Sequence, residues 1–248
     1  FVAQKDYVPS FEAIGHTHAH WLPLACDPGV HHAPGAERDL EVGFVGKLGL
    51  AGTPRHATLA AVLPRYRSND YERFYSPEEM ARIYGRSKIV FNASINGDVN
   101  MRVFEAWAAG ALLVTDRIGN GFGEIFEDGV NCVCYSGIEE AIEAIDHYLA
   151  NDAEREAIAA EGQRVAFARH TYRIRWETML AGARMAMGSA PARRYSRTEL
   201  GEAYARIFSA MRMPWRIPGG LMRYGASRSA LVEFGMAGGR WAKAEVPM

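Results

Sequence analysis

The chain has 248 residues, enough for one large domain or one and a half smaller ones. Its apolar share of 48% and charged share of 23% are those of an ordinary globular protein and exclude a chain too polar to build a core. With 28 Lys and Arg against 29 Asp and Glu, nothing in the global charge argues for a nucleic-acid partner, and no apolar run is long enough to span a membrane.

Residues 1–35 read as the end of a larger piece. Phe1-Val2-Ala3 has the look of a strand interior, which implies that a further N-terminal part precedes it. A short helix is predicted over 6–14, stopped by Gly15. His16, His18 and His20 alternate, so they would share one face of a strand. Imidazole is a common zinc ligand, but no carboxylate or cysteine nearby completes a set, and no metal site is assigned. Residues 27–37, rich in Pro, Gly and His, read as a linker.

A strand into a glycine turn follows over 40–50. Gly46-Lys47 invites a P-loop reading, which fails: Leu48 stands where Ser or Thr is needed, and Leu40-Glu41 where the first glycine belongs. A looser phosphate role survives, in which glycine admits a phosphate to the backbone and Lys47 or Arg55 supplies charge. The alternative is a plain strand-to-helix turn. A helix is predicted over 56–67 and a short strand over 70–75. Ser76-Pro77-Glu78-Glu79 is a helix start: a serine cap, proline at the first position, and a carboxylate three residues after the cap.

Residues 92–116 hold the chemistry. The apolar strand Ile89-Val90-Phe91 feeds a polar loop at 94–100, a short helix ending at Gly110, and a second apolar strand, Leu112-Leu113-Val114. Strand, loop, helix and strand form the repeating unit of a parallel sheet, whose ligands sit outside the carboxyl ends of the strands. Met101, Val103, Phe104, Trp107, Ala108 and Ala109 spread apolar surface nearly all round the helix, so it is buried. Its start nevertheless carries Asn100, Arg102 and Glu105. A cation near a helix N-terminus opposes the dipole, which marks a functional site unless Arg102 and Glu105 simply pair with each other.

Gly119-Asn120-Gly121-Phe122-Gly123 does not complete a dinucleotide fingerprint. A helical turn is predicted over 124–127, a strand over 131–135, and helices over 138–149, 153–169 and 172–187. Cys132 and Cys134 would point the same way as core residues. The spacing of these two and Cys26 fits neither a metal site nor a disulfide framework, so a reduced, cytoplasmic setting is expected. Alternating strands and helices over 40–187 give a doubly wound α/β domain. The tail differs: 189–248 carries ten Lys and Arg against four Asp and Glu. An amphipathic helix is predicted over 197–212, with Leu200, Ala203, Tyr204, Ile207, Phe208 and Met211 on one stripe. A basic, aromatic tail can hold a protein at the inner membrane face, while such a stripe can equally pack on its own protein.

The pieces over about 40–187 resemble the C-terminal, donor-binding domain of a GT-B glycosyltransferase of group 1, with CgeB-type proteins the nearest look-alike. The resemblance rests on residues 42–46, Tyr75-Ser76-Pro77-Glu78-Glu79-Met80-Ala81-Arg82-Ile83-Tyr84, and above all Asp98-Val99-Asn100-Met101-Arg102-Val103-Phe104-Glu105-Ala106 with Gly110 and Thr115-Asp116. Glu124-Ile125-Phe126-Glu127-Asp128-Gly129 and His170-Thr171-Tyr172 also fit.

The resemblance implies a Rossmann-like doubly wound parallel sheet, the C-terminal half of a GT-B fold, at 36–188, with a basic helical extension at 189–248. It implies transfer of a sugar from a nucleotide-sugar donor to a glycan, glycolipid or similar acceptor, with no metal and no cofactor beyond the donor. The donor-binding set it implies is Gly46, Lys47, Tyr75, Ser76, Asn100, Arg102 and Glu105. Glu105 matches the second carboxylate of the family's paired-glutamate motif, which holds the ribose. Lys47 and Arg102 are assigned to the diphosphate, Tyr75 and Ser76 to the base. The first glutamate of the pair would fall at Gly97, a departure that leaves the sugar-side contacts and the stereochemistry open. The resemblance gives the acceptor side to an N-terminal Rossmann-like domain, of which residues 1–35 would be the remnant, so no catalytic base is named. Two other readings stand beside this one: a nucleotide-sugar epimerase of the same fold, and a non-catalytic binding or scaffold module.

Overall fold

The computed structural model describes residues 1–189 apart from 14, 17, 33 and 96, together with 196–210, 217 and 221. The chain divides into two compact units. The larger holds Ala3–Lys5 and Leu22–Leu180; the smaller holds Phe1–Val2, Asp6–Trp21 and Ala181–Met248.

Four parallel strands organise the larger unit: β1 (Leu40–Gly43), β2 (Ser87–Asn92), β3 (Leu112–Asp116) and β4 (Val133–Tyr135), side by side in that order. Val42 lies beside Ile89, Ile89 beside Leu112, and Val114 beside Val133. On one face Val42, Phe44, Ile89, Phe91, Leu112, Val114, Val133 and Tyr135 form a continuous core. Leu59 and Val62 of α3 (Pro54–Val62), Ala141 and Ile145 of α6 (Ile138–Ala150), and Ile158 of α7 (Asp152–Arg169) pack into it. The alternate strand residues Val90 and Leu113 are equally inaccessible, so both faces are covered, as the near-continuous apolar runs require. Helices α4 (Pro77–Arg86) and α5 (Met101–Ala108) pack on the first three strands and bury Tyr84, Phe104 and Trp107.

The capping signals act as read. Ser76 Oγ accepts from Glu79 N–H, and the Glu79 carboxylate accepts from Ser76 N–H, closing the box at the start of α4. At the far end of the sheet Arg38 donates to the carbonyls of Tyr84, Ser87, Ala109 and Gly110, where α4 and α5 end. A guanidinium there satisfies orphan carbonyls and opposes two helix dipoles at their negative ends.

Several expected elements take another form. Residues 70–75 are a turn, not a strand: Asp70 Oδ1 accepts from Glu72 N–H, Tyr75 Oη donates to the Asp70 carbonyl, and Ser68 makes the single bridge to Val42 instead. Residues 16 and 18–20 are not in a strand either. Ala19 N–H turns back to the His16 carbonyl, which takes the histidines out of the alternation that would align them. Among the described residues no cluster of three or more His, Cys, Asp or Glu is placed to hold a metal ion. The linker contains a one-turn helix, α2 (Pro28–His31), capped by Asp27. Residues 124–127 form only the end of a turn.

In the smaller unit Val2 bridges to Trp21, and α1 (Val8–Ala13) packs on α9 (Arg197–Ala210). Helix α8 (Tyr172–Ser189) begins in the larger unit and ends in the smaller. Within α9, Gly201 and Ala205 are buried and Leu200 is exposed. Residues 190–195, 211–216, 218–220 and 222–248 of the basic tail lie outside the described residues. No described helix is long and apolar enough to cross a membrane.

Candidate functional site

The carboxyl ends of β1 and β2 release two loops, 44–53 and 93–100, over the N-termini of α3 and α5. Between them lies a cleft of about 320 Å³ lined by Lys47, Arg55, Ile95, Asp98, Asn100, Met101, Arg102 and Glu105. Asn100 caps α5, its side-chain oxygen accepting from Arg102 N–H at 3.1 Å. That cap fixes where the helix starts, and so which face of it turns Arg102 and Glu105 towards the cleft.

Arg102 does not pair with Glu105: no ion pair joins them, and its guanidinium turns to β1 and β2. Nη1 donates to Asn92 Oδ1 at 2.7 Å and Nη2 to the Val45 carbonyl at 2.8 Å, while the group lies 4.4 Å over the Phe44 ring. The side chain is only 8% exposed, and its Nε has no hydrogen-bond partner. A buried N–H on a cation left unmet is costly and rare.

Gly46 explains how the guanidinium fits. Its φ is +146°, and a Cβ there would collide with Arg102 Nη2. The glycine gives space to an arginine from another element, a tighter demand than the simple phosphate approach read from the sequence.

Asn92, at the end of β2, is the hub that the sequence reading missed. Its Oδ1 accepts from both Arg102 and Asn100, its Nδ2 donates to Thr115 Oγ1, and its carbonyl accepts from Tyr135 Oη. The available signal was an asparagine ending a fully buried apolar strand, where a polar side chain must find partners. Asp116 anchors the start of the second loop, accepting from Ser94 N–H at 2.8 Å and from Ser94 Oγ.

Glu105 is 9% exposed, and no hydrogen bond engages its carboxyl. Burial pushes it up to about 7, with the charge of Arg102 opposing that rise. Arg55, in the first turn of α3, is half-buried beside Phe44, and burial together with the Arg102 charge pulls it down to about 10. It braces the first loop by donating to the Lys47 carbonyl, and the Lys47 side chain is exposed at the cleft.

The cleft thus gathers Lys47, Asn100, Arg102 and Glu105, with Gly46 directly behind Arg102. Tyr75 and Ser76 lie on the same edge of the sheet, because α4 runs from them back to the start of β2, but neither lines the cleft. Ser76 is engaged by its capping box and Tyr75 Oη by Asp70. At Gly97, φ is +69° and its N–H donates to Ser94 Oγ at 3.0 Å. The loop turns in a left-handed conformation at the position where the resemblance asks for a glutamate, and a Cβ there would meet nothing, so conformation rather than space favours glycine.

A family model described as glycosyl transferase-like matches residues 36–181. The chain belongs to that family. The parallel sheet with its helices is the Rossmann-like α/β fold of group 1 GT-B glycosyltransferases. Sucrose-phosphate synthase from Thermosynechococcus elongatus superposes with a TM-score of 0.61 at 11% identity, over 76% of this chain and 58% of that one. HepE from Anabaena in complex with UDP and glucose gives 0.60 at 13% identity, over 76% and 62%. A glycosyltransferase from Rickettsia africae gives 0.59 at 10% identity, over 76% and 64%. The chain therefore spans about 58 to 64% of the length of these solved glycosyltransferases. Comparison of the sequence with curated proteins gave no match.

Proposed function

We infer that the cleft holds the nucleoside diphosphate of a nucleotide-sugar donor, and that the protein transfers the sugar to an oxygen of a glycan, glycolipid or similar acceptor. One observation carries the reading. A buried carboxyl that no hydrogen bond engages and a buried arginine with an unmet Nε line the same cleft as Lys47 and Arg55. A nucleoside diphosphate suits both: ribose hydroxyls donate to Glu105, and diphosphate oxygens accept from Lys47 and Arg55 beside the Arg102 charge. HepE, which shares the fold, has been solved with UDP-glucose, which supports a donor of that class.

In the reaction the bond from the sugar anomeric carbon to the diphosphate oxygen breaks, an acceptor oxygen bonds to that carbon, and the acceptor proton leaves to a base. The cations offset the charge that builds on the departing diphosphate, which supports transfer without a metal ion. Tyr75 and Ser76 remain the base-side residues of this reading, through the Tyr75 ring and the backbone at the start of α4. Contact of the basic tail with an anionic inner membrane face would bring the site to a lipid-linked acceptor.

A thermal-shift screen of nucleoside diphosphates and their sugars on the full protein tests the reading. At least one should raise Tm, and Glu105→Ala should remove that shift. Absence of a shift with every nucleotide would leave a scaffold module instead. Consumption of a nucleotide sugar without acceptor, giving its epimer, would make the protein an epimerase.

A further inference from the structure

Gln4 stands apart from the cleft in sequence but is tied to it in space. Its Nε2 donates to the Val99 carbonyl at 3.0 Å, and its Oε1 accepts from Val99 N–H at 3.1 Å. One primary amide thus takes both backbone groups of a single residue, as a neighbouring strand would. The same Oε1 accepts from Nδ2 of Asn120, a residue buried in the loop after β3, at 2.7 Å. Next to it, Lys5 pairs with Glu124. Gln4 and Lys5 therefore fasten the loop after β2 and the loop after β3.

We propose that Gln4 is a positioning residue for the donor cleft, holding Val99 so that Asp98 and Asn100 on either side of it keep their places in the cleft wall. The proposal rests on the donor-binding reading above. Residues 97–100 lie outside strand and helix, so no ladder satisfies their backbone groups, and Val99 is fully buried. Asp98 accepts from Ile95 N–H, which shapes the loop, and Asn100 caps α5 and bonds Asn92. A shift at Val99 would move both. Loops of this kind open at little cost unless something distant ties them, and a loop held in its binding conformation loses less freedom when ligand arrives.

Hydrogen–deuterium exchange over residues 93–100 and titration with UDP, ADP, GDP and dTDP test this on the full protein. Gln4→Met removes the three polar contacts at constant length. Gln4→Glu keeps the accepting bonds but sets a carboxylate oxygen against the Val99 carbonyl, a change that a purely packing role would not register. Both variants should speed exchange in 93–100 while residues 87–92 of β2 stay as protected as in the parent. Both should weaken the nucleotide that the parent binds roughly tenfold: Gln4→Met by losing all three hydrogen bonds that order the loop, Gln4→Glu by losing one and setting an anion against the Val99 carbonyl. If Gln4→Met also exposes β2, the global fold has loosened and Gln4→Glu decides. Unchanged exchange in 93–100 overturns the proposal, as does faster exchange with unchanged affinity. A parent that binds none of the four nucleotides overturns the donor-binding reading, while the exchange data still report whether Gln4 holds the loop.

Discussion

Replacing Glu105 by Gln should stabilise the protein without ligand and abolish its binding of nucleotide, and the stabilisation should depend on pH. Burial holds the carboxyl at about 7 rather than 4.5. At about 1.4 kcal/mol per pKa unit, this corresponds to roughly 3 kcal/mol against ionisation in the folded state. The sign follows from linkage: between the unfolded and folded pKa values the native state binds more protons than the unfolded state, so stability falls as pH rises from 4.5 through 7. A neutral amide escapes that loss. Urea unfolding of both proteins at about pH 5 and pH 8.5 should show the variant gaining about 2–3 kcal/mol on the parent between the two conditions. All other titrating groups are shared and cancel in the difference. A gap that is the same at both pH values would refute the reasoning, because Glu105 would then be ionised at no cost. Nucleotide affinity should move the other way, since the amide cannot offer two accepting oxygens to a ribose diol.

Gly46→Ala should cost roughly 2–3 kcal/mol and lower nucleotide affinity, because the added methyl meets Arg102 in a strained backbone conformation; chemical denaturation and calorimetric titration read the two effects. Arg38→Leu should cost about 3 kcal/mol by stranding carbonyls of α4, α5 and β2, yet leave nucleotide affinity intact, because Arg38 works at the opposite end of the sheet. Lys47→Met should weaken a nucleoside diphosphate more than the free nucleoside and flatten the dependence of binding on salt; equal weakening of both would place Lys47 away from the diphosphate.

The parallel sheet was legible because its strands are buried on both faces and leave apolar runs such as Ile89-Val90-Phe91 and Leu112-Leu113-Val114, the first of them followed by a helix that Asn100 caps. The box at Ser76 and the cap at Asn100 are local devices, and local sequence carries them. The turn at 70–75 was misread because Asp70 bonds a backbone group two residues on, an option that competes with strand pairing and leaves little trace in apolar pattern. The polar start of α5 pointed to the site, but not to what Arg102 does there. Its partners come from the ends of β1 and β2, and the glycine that makes room for it lies 56 positions earlier, as 102 − 46. Contacts of that range leave no spacing signal. Asn92 and Gln4 escaped notice for the same reason: each is an ordinary amide until the fold sets it against its partners.

The central claim is that a donor nucleotide lies across Lys47, Arg55, Arg102 and Glu105. A crystal structure of the protein with a bound nucleotide sugar tests it most directly. Both ribose hydroxyls should lie within hydrogen-bond reach of the Glu105 carboxylate, and diphosphate oxygens on Lys47 and Arg55. A nucleotide seated elsewhere on the larger unit, such as the cavity beside Asn131, Arg164 and His170, with Glu105 touching nothing of it, would contradict the account.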